Sequence, residues 1–348
     1  MTDHITPIKI RPLNLNDLGI APQEAPLAID LADHTIEVME KGDRATPVEK
    51  LPDGDALLDK VKAALEMGYA GVILSGPPGT GKSVMAKRLA YTLAGDTTAV
   101  RTVQFHASYQ YEDFIEGFAP NAEGRFEPTR KIFSLICEDA VNRFSVMHVL
   151  LIDEISRCDV SRVFGEALTY IETDKRNQYF TIASGRTLVV PDNLIVIATM
   201  NPWDKGVDEL DVALERRFAQ IDMHPDANVL RTILEKKGVS PGFIDKLTTF
   251  FEAVQQLDDE MVHLGHAYFL SCTDEVAAHR TWDFRLYPFF KKACRLNKEM
   301  MANITRLWLR VVQPTAAATT TSSNDAGREI EATTLDATAA QSSAPQVG

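Results

Sequence analysis

One stretch of the sequence decides the fold: Gly76-Pro77-Pro78-Gly79-Thr80-Gly81-Lys82-Ser83. It matches the pattern G-x-x-x-x-G-K-[ST] at every specified position, and it lies between an apolar run at 72–74 and a helical pattern. Glycines at these positions let backbone N–H groups turn inward around a phosphate, and the start of a helix favours negative charge. We therefore expect this phosphate-binding loop to hold a nucleotide, with Lys82 at the β- and γ-phosphates and the Ser83 hydroxyl on Mg²⁺.

The chain around this loop alternates between short apolar runs and amphipathic helical patterns. The runs that predict strands are 72–74, Val103 to Phe105, Val149 to Ile152, Leu194 to Ala198 and a run around Ile221. Helical periodicity lies between most of them, for instance on one continuous face over residues 160–171. This alternation predicts an α/β fold, with a three-layer αβα core whose parallel sheet is covered by helices on both faces.

Strand patterns stop near residue 226, and helical patterns continue to Val312, which predicts a smaller all-α lid domain. We expect an N-terminal arm over 1–50, with a strand-like run at 35–38, a nucleotide-binding core over 51–225, the lid over 226–312 and a tail over 313–348. The tail is rich in Ala, Thr and Ser and has almost no large apolar side chains. It cannot bury enough surface to offset its chain entropy, so we expect it to be disordered.

Two carboxylates follow a predicted buried strand. Val149 to Ile152 runs directly into Asp153 and Glu154, which places both acids at the carboxyl edge of the sheet beside the phosphate-binding loop. We expect Asp153 to hold Mg²⁺, through water, and Glu154 to orient and polarise an attacking water.

Polar residues follow the next strand and a short helical segment. Asn201 comes just after the run 194–198, where a neutral amide can hold the lytic water or touch the γ-phosphate. Arg216 and Arg217 end the segment that starts at Asp211, and arginine is suited to a bidentate grip on developing phosphate charge. We expect one of the two arginines to act as an arginine finger, and the sequence leaves open which one. Pairing with a helix C-terminus is the alternative for both.

Composition limits the partners and the compartment. The formal net charge is −13, with 49 acidic residues against 36 basic ones, so we expect the protein alone to bind DNA only weakly. No apolar run is long enough for an ordinary transmembrane helix and the start of the chain does not have the pattern of a secretory signal, so we expect no membrane partner. The four cysteines are scattered, which favours buried thiols in a reducing compartment. These features predict a cytoplasmic protein.

These motifs, in this order and spacing, resemble the AAA+ ATPases, and within them the McrB-like motor subunits of modification-dependent restriction systems. Five segments carry the resemblance: the phosphate-binding loop with the strand before it, the aromatic signature Phe-His-Ala-Ser-Tyr-Gln-Tyr-Glu-Asp-Phe-Ile-Glu-Gly at 105–117, 152–157 with 164–168, 199–201 with 213–218, and 265–269 with Trp282 and Pro288 beyond. The run 179–189 is similar to the hairpin that such proteins place before Asn201, facing a central pore. In the signature we expect the aromatic rings to pack on the sheet and the acids Glu112 and Asp113 to face a subunit or partner.

The resemblance implies a homo-oligomer, a hexameric ring in which Arg216 and Arg217 face the nucleotide of the adjacent subunit. It implies hydrolysis of ATP or GTP with Mg²⁺ and work on a partner effector, a McrC-like nuclease, in defence against foreign DNA. Pro202, with Gly206 after it, departs from the McrB pattern and is similar to MoxR-like ATPases. A MoxR-like chaperone that remodels or activates a client protein is therefore an alternative. A nucleotide-gated assembly switch is a third.

Overall fold

The computed structural model describes residues 48–202 and 212–313. The described strands are β1 Gly71–Ser75, β2 Val100–Gln104, β3 Glu116–Pro120, β4 Phe126–Arg130, β5 His148–Asp153, β6 Tyr179–Thr181, β7 Thr187–Val189, β8 Leu194–Met200 and β9 Phe218–Asp222. The predicted arm up to residue 47, the strand-like run at 35–38, the tail from residue 314 and the segment 203–211 lie outside the described residues.

Helices flank the strands and then follow them. They are α1 Ala56–Glu66, α2 Lys82–Ala94, α3 Tyr111–Phe114, α4 Ile132–Asn142, α5 Val160–Phe164, α6 Ala167–Tyr170, α7 Val212–Glu215, α8 Ala227–Lys236, α9 Pro241–Gln255, α10 Glu275–Thr281, α11 Tyr287–Ala293 and α12 Lys298–Val312. A π-helical turn, Trp282–Leu286, joins α10 to α11. No helix within 48–202 or 212–313 combines the length and the apolar character needed to cross a membrane.

Five parallel strands form the central sheet in the order β2-β5-β8-β1-β9. All five strands predicted from apolar runs are present in it. β2 differs in its bounds, since it starts at Val100 and ends at Gln104, one residue before Phe105. Because β1, β5 and β8 run parallel to one another, their carboxyl ends lie at the same edge of the sheet.

Side chains on the sheet alternate between two apolar layers. Val72 and Leu74 of β1 pack with α1 and α2 on one face, and Ile73 between them packs with α4 and α5 on the other. This alternation follows from the period-2 geometry of a strand. The α/β fold with three αβα layers is therefore confirmed.

The single helical face predicted over 160–171 is broken into two short helices. Gly165 separates α5 from α6 and has a φ of 50°, in the left-handed region. A Cβ atom built there would lie 2.8 Å from the ring of Tyr111. The apolar positions of the pattern are buried as expected, but the ring of Tyr111 occupies the space beside the break.

Two antiparallel hairpins project from the core. The hairpin of β6 and β7 was predicted by the pattern at 179–189. The hairpin of β3 and β4, which follows the aromatic signature, was not predicted.

Beyond β9 the chain is helical, as predicted for the lid. Residues of α8, α9 and α12 pack around one apolar cluster that includes Phe250, Phe251 and Trp308. Phe269 and Phe290 are buried in the same cluster. The lid therefore has a hydrophobic core distinct from the two layers on the sheet.

Candidate functional site

The phosphate-binding loop joins β1 to α2. Gly79 and Gly81 have φ values of 82° and 84°, which glycine adopts without steric strain. Gly81 is the N-cap of α2 and makes no side-chain capping bond, and the first N–H groups of a helix have no partner inside the helix itself. The Lys82 ammonium donates to the carbonyl oxygens of Gly76 at 2.8 Å and Pro77 at 2.9 Å. The Lys82 side chain is thus folded back onto the carbonyl oxygens of its own loop.

The loop meets the carboxylate at the end of β5. The Ser83 hydroxyl donates to Oδ1 of Asp153 at 2.9 Å, across 70 residues of sequence. The same oxygen accepts a hydrogen bond from the Thr199 hydroxyl on the neighbouring strand β8. Three oxygen-bearing side chains thus converge beside the start of α2.

Glu154 lies one residue beyond β5 in a left-handed conformation, with φ 59° and ψ 48°. Its backbone N–H donates to the Thr199 hydroxyl at 3.1 Å, and its carboxylate lies 3.4 Å from the Arg157 guanidinium. A non-glycine residue with positive φ is uncommon and is often found at functional sites. The Thr199 hydroxyl therefore bonds both the carboxylate of Asp153 and the backbone of Glu154. The sequence alone indicated no role for Thr199, although it lies two residues before Asn201.

Asn201 follows β8 and is buried. Because β8 lies between β5 and β1 in the sheet, Asn201 emerges between the acids of β5 and the phosphate-binding loop after β1. This is the placement predicted from its sequence position.

Comparison with known proteins supports the assignment that these motifs predict. The family model of the AAA domain, dynein-related subfamily, matches residues 71–218. Residues 71–218 belong to the AAA family. The match runs from the first residue of β1 to the first residue of β9, so it includes the phosphate-binding loop, both acids, Asn201 and the two arginines.

Two relatives are components of restriction enzymes. The Type IV methyl-directed restriction enzyme EcoKMcrB subunit of Escherichia coli (strain K12) is 37% identical over 215 residues, covering 57% of this chain and 47% of that protein. The Type II restriction enzyme BsuMI component YdiS of Bacillus subtilis (strain 168) is 27% identical over 188 residues, covering 42% of this chain and 55% of that protein. The predicted resemblance to McrB-like subunits is therefore confirmed. The chain spans about half the length of each relative.

A crystal structure from Cytophaga hutchinsonii ATCC 33406 is similar at 16% identity and a TM-score of 0.37, covering 81% of this chain and 95% of that one. A likeness at this level adds nothing to the account of the site.

The lid touches the phosphate-binding loop of the AAA domain directly. Gly265 N–H donates to the Pro78 carbonyl at 2.8 Å, and Ala267 N–H donates to the Gly79 carbonyl at 3.0 Å. The ring of Tyr268 lies close against Gly79. We call residues 265–268 the lid strap. Both of these hydrogen bonds use carbonyl oxygens of the loop and not its N–H groups. The sequence marked this segment only by its resemblance to a lid motif.

His266 of the lid strap faces the start of α2. Its Nε2 lies 3.5 Å from the position of a Cβ built on Gly81, and its Nδ1 is buried and has no hydrogen-bond partner among the residues that the structure describes. Burial lowers the pKa of His266, and the charge of Asp226 partly opposes this shift. Beside the phosphate-binding loop, His266 is therefore held in its neutral form near pH 7.

The two arginines lie at the opposite edge of the sheet. Arg217 directly precedes β9, and its carbonyl accepts a hydrogen bond from Ala70 N–H at 2.8 Å, at the amino end of β1. Arg217 is therefore six strand positions from Gly76, about 20 Å at 3.3 Å per residue. An arginine side chain is far shorter than this distance, so neither arginine reaches the phosphate-binding loop of its own chain.

The two arginines differ in their surroundings. The Arg217 side chain is only 7% exposed, and its guanidinium pairs with Glu172 at 2.5 Å and donates to the Ala213 carbonyl. The Arg216 side chain is 68% exposed and pairs with Glu172 at 3.1 Å. Arg217 is thus engaged within its own chain, whereas Arg216 lies at the surface.

The aromatic signature packs as predicted. Phe105 and Phe114 are buried in the core, and Tyr109 stacks on Phe105 with ring centroids 4.7 Å apart. Asp113 has a local role, because its carboxylate accepts from Gln110 N–H at 3.0 Å and caps α3. Both Glu112 and Asp113 are exposed, so the expectation that they face a subunit or partner stays a prediction.

The four cysteines are free, and Cys137, Cys272 and Cys294 are buried. Burial raises the pKa of each of these thiols, which keeps them protonated and unreactive. Cys158 is partly buried, and burial raises its pKa to about 12.

The oxygen donors at the carboxyl edge suit Mg²⁺. Among residues 48–202 and 212–313, no group of three or more His, Cys, Asp or Glu side chains could hold a metal ion by itself. Mg²⁺ is commonly bound by one or two protein oxygens together with substrate phosphates. Ser83 and Asp153, 2.9 Å apart beside the phosphate-binding loop, form such a partial set.

Proposed function

We propose that this protein is a Mg²⁺-dependent nucleoside triphosphatase that hydrolyses ATP or GTP as a homo-oligomeric ring. One observation carries the proposal: the Ser83 hydroxyl bonds to Asp153, which brings the phosphate-binding loop and the strand-end carboxylate into one site. A loop serine and a strand-end aspartate are the protein oxygens that this class of enzyme uses for its metal.

Each residue of the site has a separate role in hydrolysis. Backbone N–H groups of the phosphate-binding loop and Lys82 bind the phosphates, and Mg²⁺ held by Ser83 and Asp153 would neutralise charge on the β- and γ-oxygens. Glu154 orients the attacking water and accepts its proton, while Asn201 holds the water or the γ-phosphate. The Thr199 hydroxyl holds the carboxylate of Asp153 and the backbone of Glu154 in place.

The position of the arginines supports assembly. Arg216 is exposed at the edge opposite its own phosphate-binding loop, so it can reach a phosphate only in another subunit. An arginine supplied in this way contributes roughly 10³- to 10⁵-fold in rate. We propose a hexameric ring with Arg216, rather than the buried Arg217, as the arginine finger.

The relatives support a role in restriction. Both are named as restriction-enzyme components, so we propose that this chain is the motor for a partner effector nuclease in defence against foreign DNA. A MoxR-like chaperone remains the alternative for the same site, because Pro202 departs from the McrB pattern. The neighbouring genes distinguish the two, since a McrC-like nuclease gene supports restriction and a gene for a von Willebrand-type metal-binding protein supports the chaperone.

Phosphate release from ATP and from GTP, with and without Mg²⁺, tests the proposed activity. Lys82→Ala should abolish nucleotide binding in calorimetry, and Glu154→Gln should keep binding and lose turnover. Lys87→Ala, an exposed lysine on the same helix, is the matched control and should retain both. Undiminished affinity for both nucleotides in the Lys82 variant would show that this loop is not the nucleotide site.

A further inference from the structure

Glu172 accepts hydrogen bonds from both arginines at the edge of the sheet. Its Oε1 lies 3.1 Å from Arg216 and 2.5 Å from Arg217. We propose that Glu172 is a positioning residue that holds Arg216 at this edge of the sheet, in the place from which its guanidinium turns towards a phosphate of the adjacent subunit. This inference rests on the proposed function, since it requires that Arg216 act between subunits.

The backbone around Glu172 is fixed by a buried arginine. Arg176 donates to the carbonyls of Ile171 at 3.1 Å, Leu194 at 2.7 Å and Ala70 at 3.3 Å. These bonds tie the segment that carries Glu172 to the amino ends of β8 and β1. Arg176 is buried, and a buried cation with these bonds is costly to displace. Glu172 therefore projects from a rigid support.

The single carboxylate of Glu172 pairs with two guanidinium groups, so Arg216 can leave it while Arg217 stays. Arg217 is buried and stays paired with Glu172, so the carboxylate keeps a counter-charge when Arg216 leaves. Arg216 is exposed, where an ion pair is weak and screened by water. It also borders an open cavity of about 590 Å³ lined in part by Met67, Tyr69 and Asp174. The guanidinium can thus turn towards a phosphate of the neighbour without leaving an unpaired acid behind.

A test must separate the positioning of Arg216 from a general loss of stability. Glu172→Gln keeps the shape of the side chain and removes its charge. The test uses mixtures of two inactive full-length variants. Lys82→Ala has no working phosphate-binding loop but donates Arg216, whereas Arg216→Ala has an intact loop and donates no finger. Mixed assemblies of the two should recover NTP hydrolysis at sites where each supplies what the other lacks.

Glu172→Gln is then placed in one partner at a time. In the Lys82→Ala partner, which donates the finger, it should lower the recovered rate by about tenfold to a hundredfold, the effect of misplacing a catalytic group by about 1 Å. In the Arg216→Ala partner it should leave the recovered rate nearly unchanged. Asp174→Asn, which borders the same cavity, is the control and should have little effect in either partner.

The outcomes separate the inference from the function on which it rests. Suppose that the mixture of Lys82→Ala and Arg216→Ala recovers hydrolysis, and that Glu172→Gln lowers the recovered rate equally in either partner. Glu172 then has only a structural role, and the inference is wrong. If that mixture recovers no hydrolysis although each variant still assembles, the proposed action of Arg216 between subunits is itself wrong.

Discussion

Substituting Gly265 with alanine should weaken nucleotide binding although Gly265 belongs to the lid. Gly265 has φ −81° and ψ 169°, which any residue adopts, so the backbone conformation itself opposes no side chain. The obstacle is contact. A Cβ at Gly265 would lie 2.0 Å from the carbonyl carbon of Gly79, 2.1 Å from its oxygen and 2.2 Å from Thr80 N.

The structure sets the size of the effect. Ordinary van der Waals contact begins near 3.4 Å, so the lid strap and the loop must separate by about 1.4 Å, the difference between 3.4 and 2.0 Å. This movement breaks the hydrogen bonds from Gly265 to Pro78 and from Ala267 to Gly79. At about 1 kcal/mol each, their loss amounts to roughly 2 kcal/mol. If this energy is drawn from nucleotide binding, affinity falls by about thirtyfold, since 1.4 kcal/mol corresponds to tenfold.

Titration of the protein with a fluorescent nucleotide measures the affinity, and thermal unfolding measures the stability of the fold. Gly242→Ala is the matched control in the same lid, because a Cβ there meets nothing within 4 Å and the residue lies in α9. It should bind nucleotide normally and unfold at the same or a slightly higher temperature, since alanine favours a helix over glycine. Wild-type nucleotide affinity in Gly265→Ala would refute the reasoning that the strap shapes the loop.

Further predictions concern a strand residue, a buried histidine and DNA. Thr199→Val should lower kcat by about tenfold or more with little change in KM, because it removes the hydroxyl between Asp153 and Glu154; equal loss in Thr199→Ser would show that the hydroxyl is not the cause. Burial lowers the pKa of His148 below 6.5. Below about pH 6.5 the unfolded chain therefore binds a proton at this residue that the folded chain does not bind. The free energy of unfolding should fall as the pH drops through this range. In His148→Gln the free energy of unfolding, measured by denaturant titration, should depend less on pH. The same pH dependence in the variant and in the unmodified protein would contradict this prediction. The protein alone should bind labelled duplex DNA only weakly at physiological salt with a non-hydrolysable nucleotide present, since 49 acidic residues outnumber 36 basic ones; submicromolar binding would place DNA recognition in this subunit.

The parts of the fold that sequence predicts are those set by local pattern. The five strands of the sheet are apolar runs of strand length, and the phosphate-binding loop has a fixed spacing, so both can be identified without knowing the tertiary structure. The hairpin of β3 and β4 gave no such signal. Its outward face carries Phe118 and Phe126, which are 65% and 72% exposed, so it lacks the apolar-in, polar-out alternation that predicts a half-buried strand.

The parts of the site that sequence could not predict depend on contacts between distant segments. The lid strap meets the phosphate-binding loop across almost 190 residues, from Gly79 to Ala267. The sequence also does not distinguish the two adjacent arginines, yet Arg217 is buried and paired with Glu172 whereas Arg216 is exposed. Burial of this kind is decided by tertiary packing around Glu172, which lies more than 40 residues earlier in the chain.

We propose above all that each active site is completed by a second subunit. The direct measurement is the rate of Mg²⁺-dependent NTP hydrolysis per subunit, taken from nanomolar to micromolar protein. We predict that the rate per subunit rises with protein concentration and then reaches a plateau, and that the rate of Arg216→Ala stays low throughout. A rate per subunit that is constant over the whole range, with Arg216→Ala as active as the unmodified protein, would contradict it.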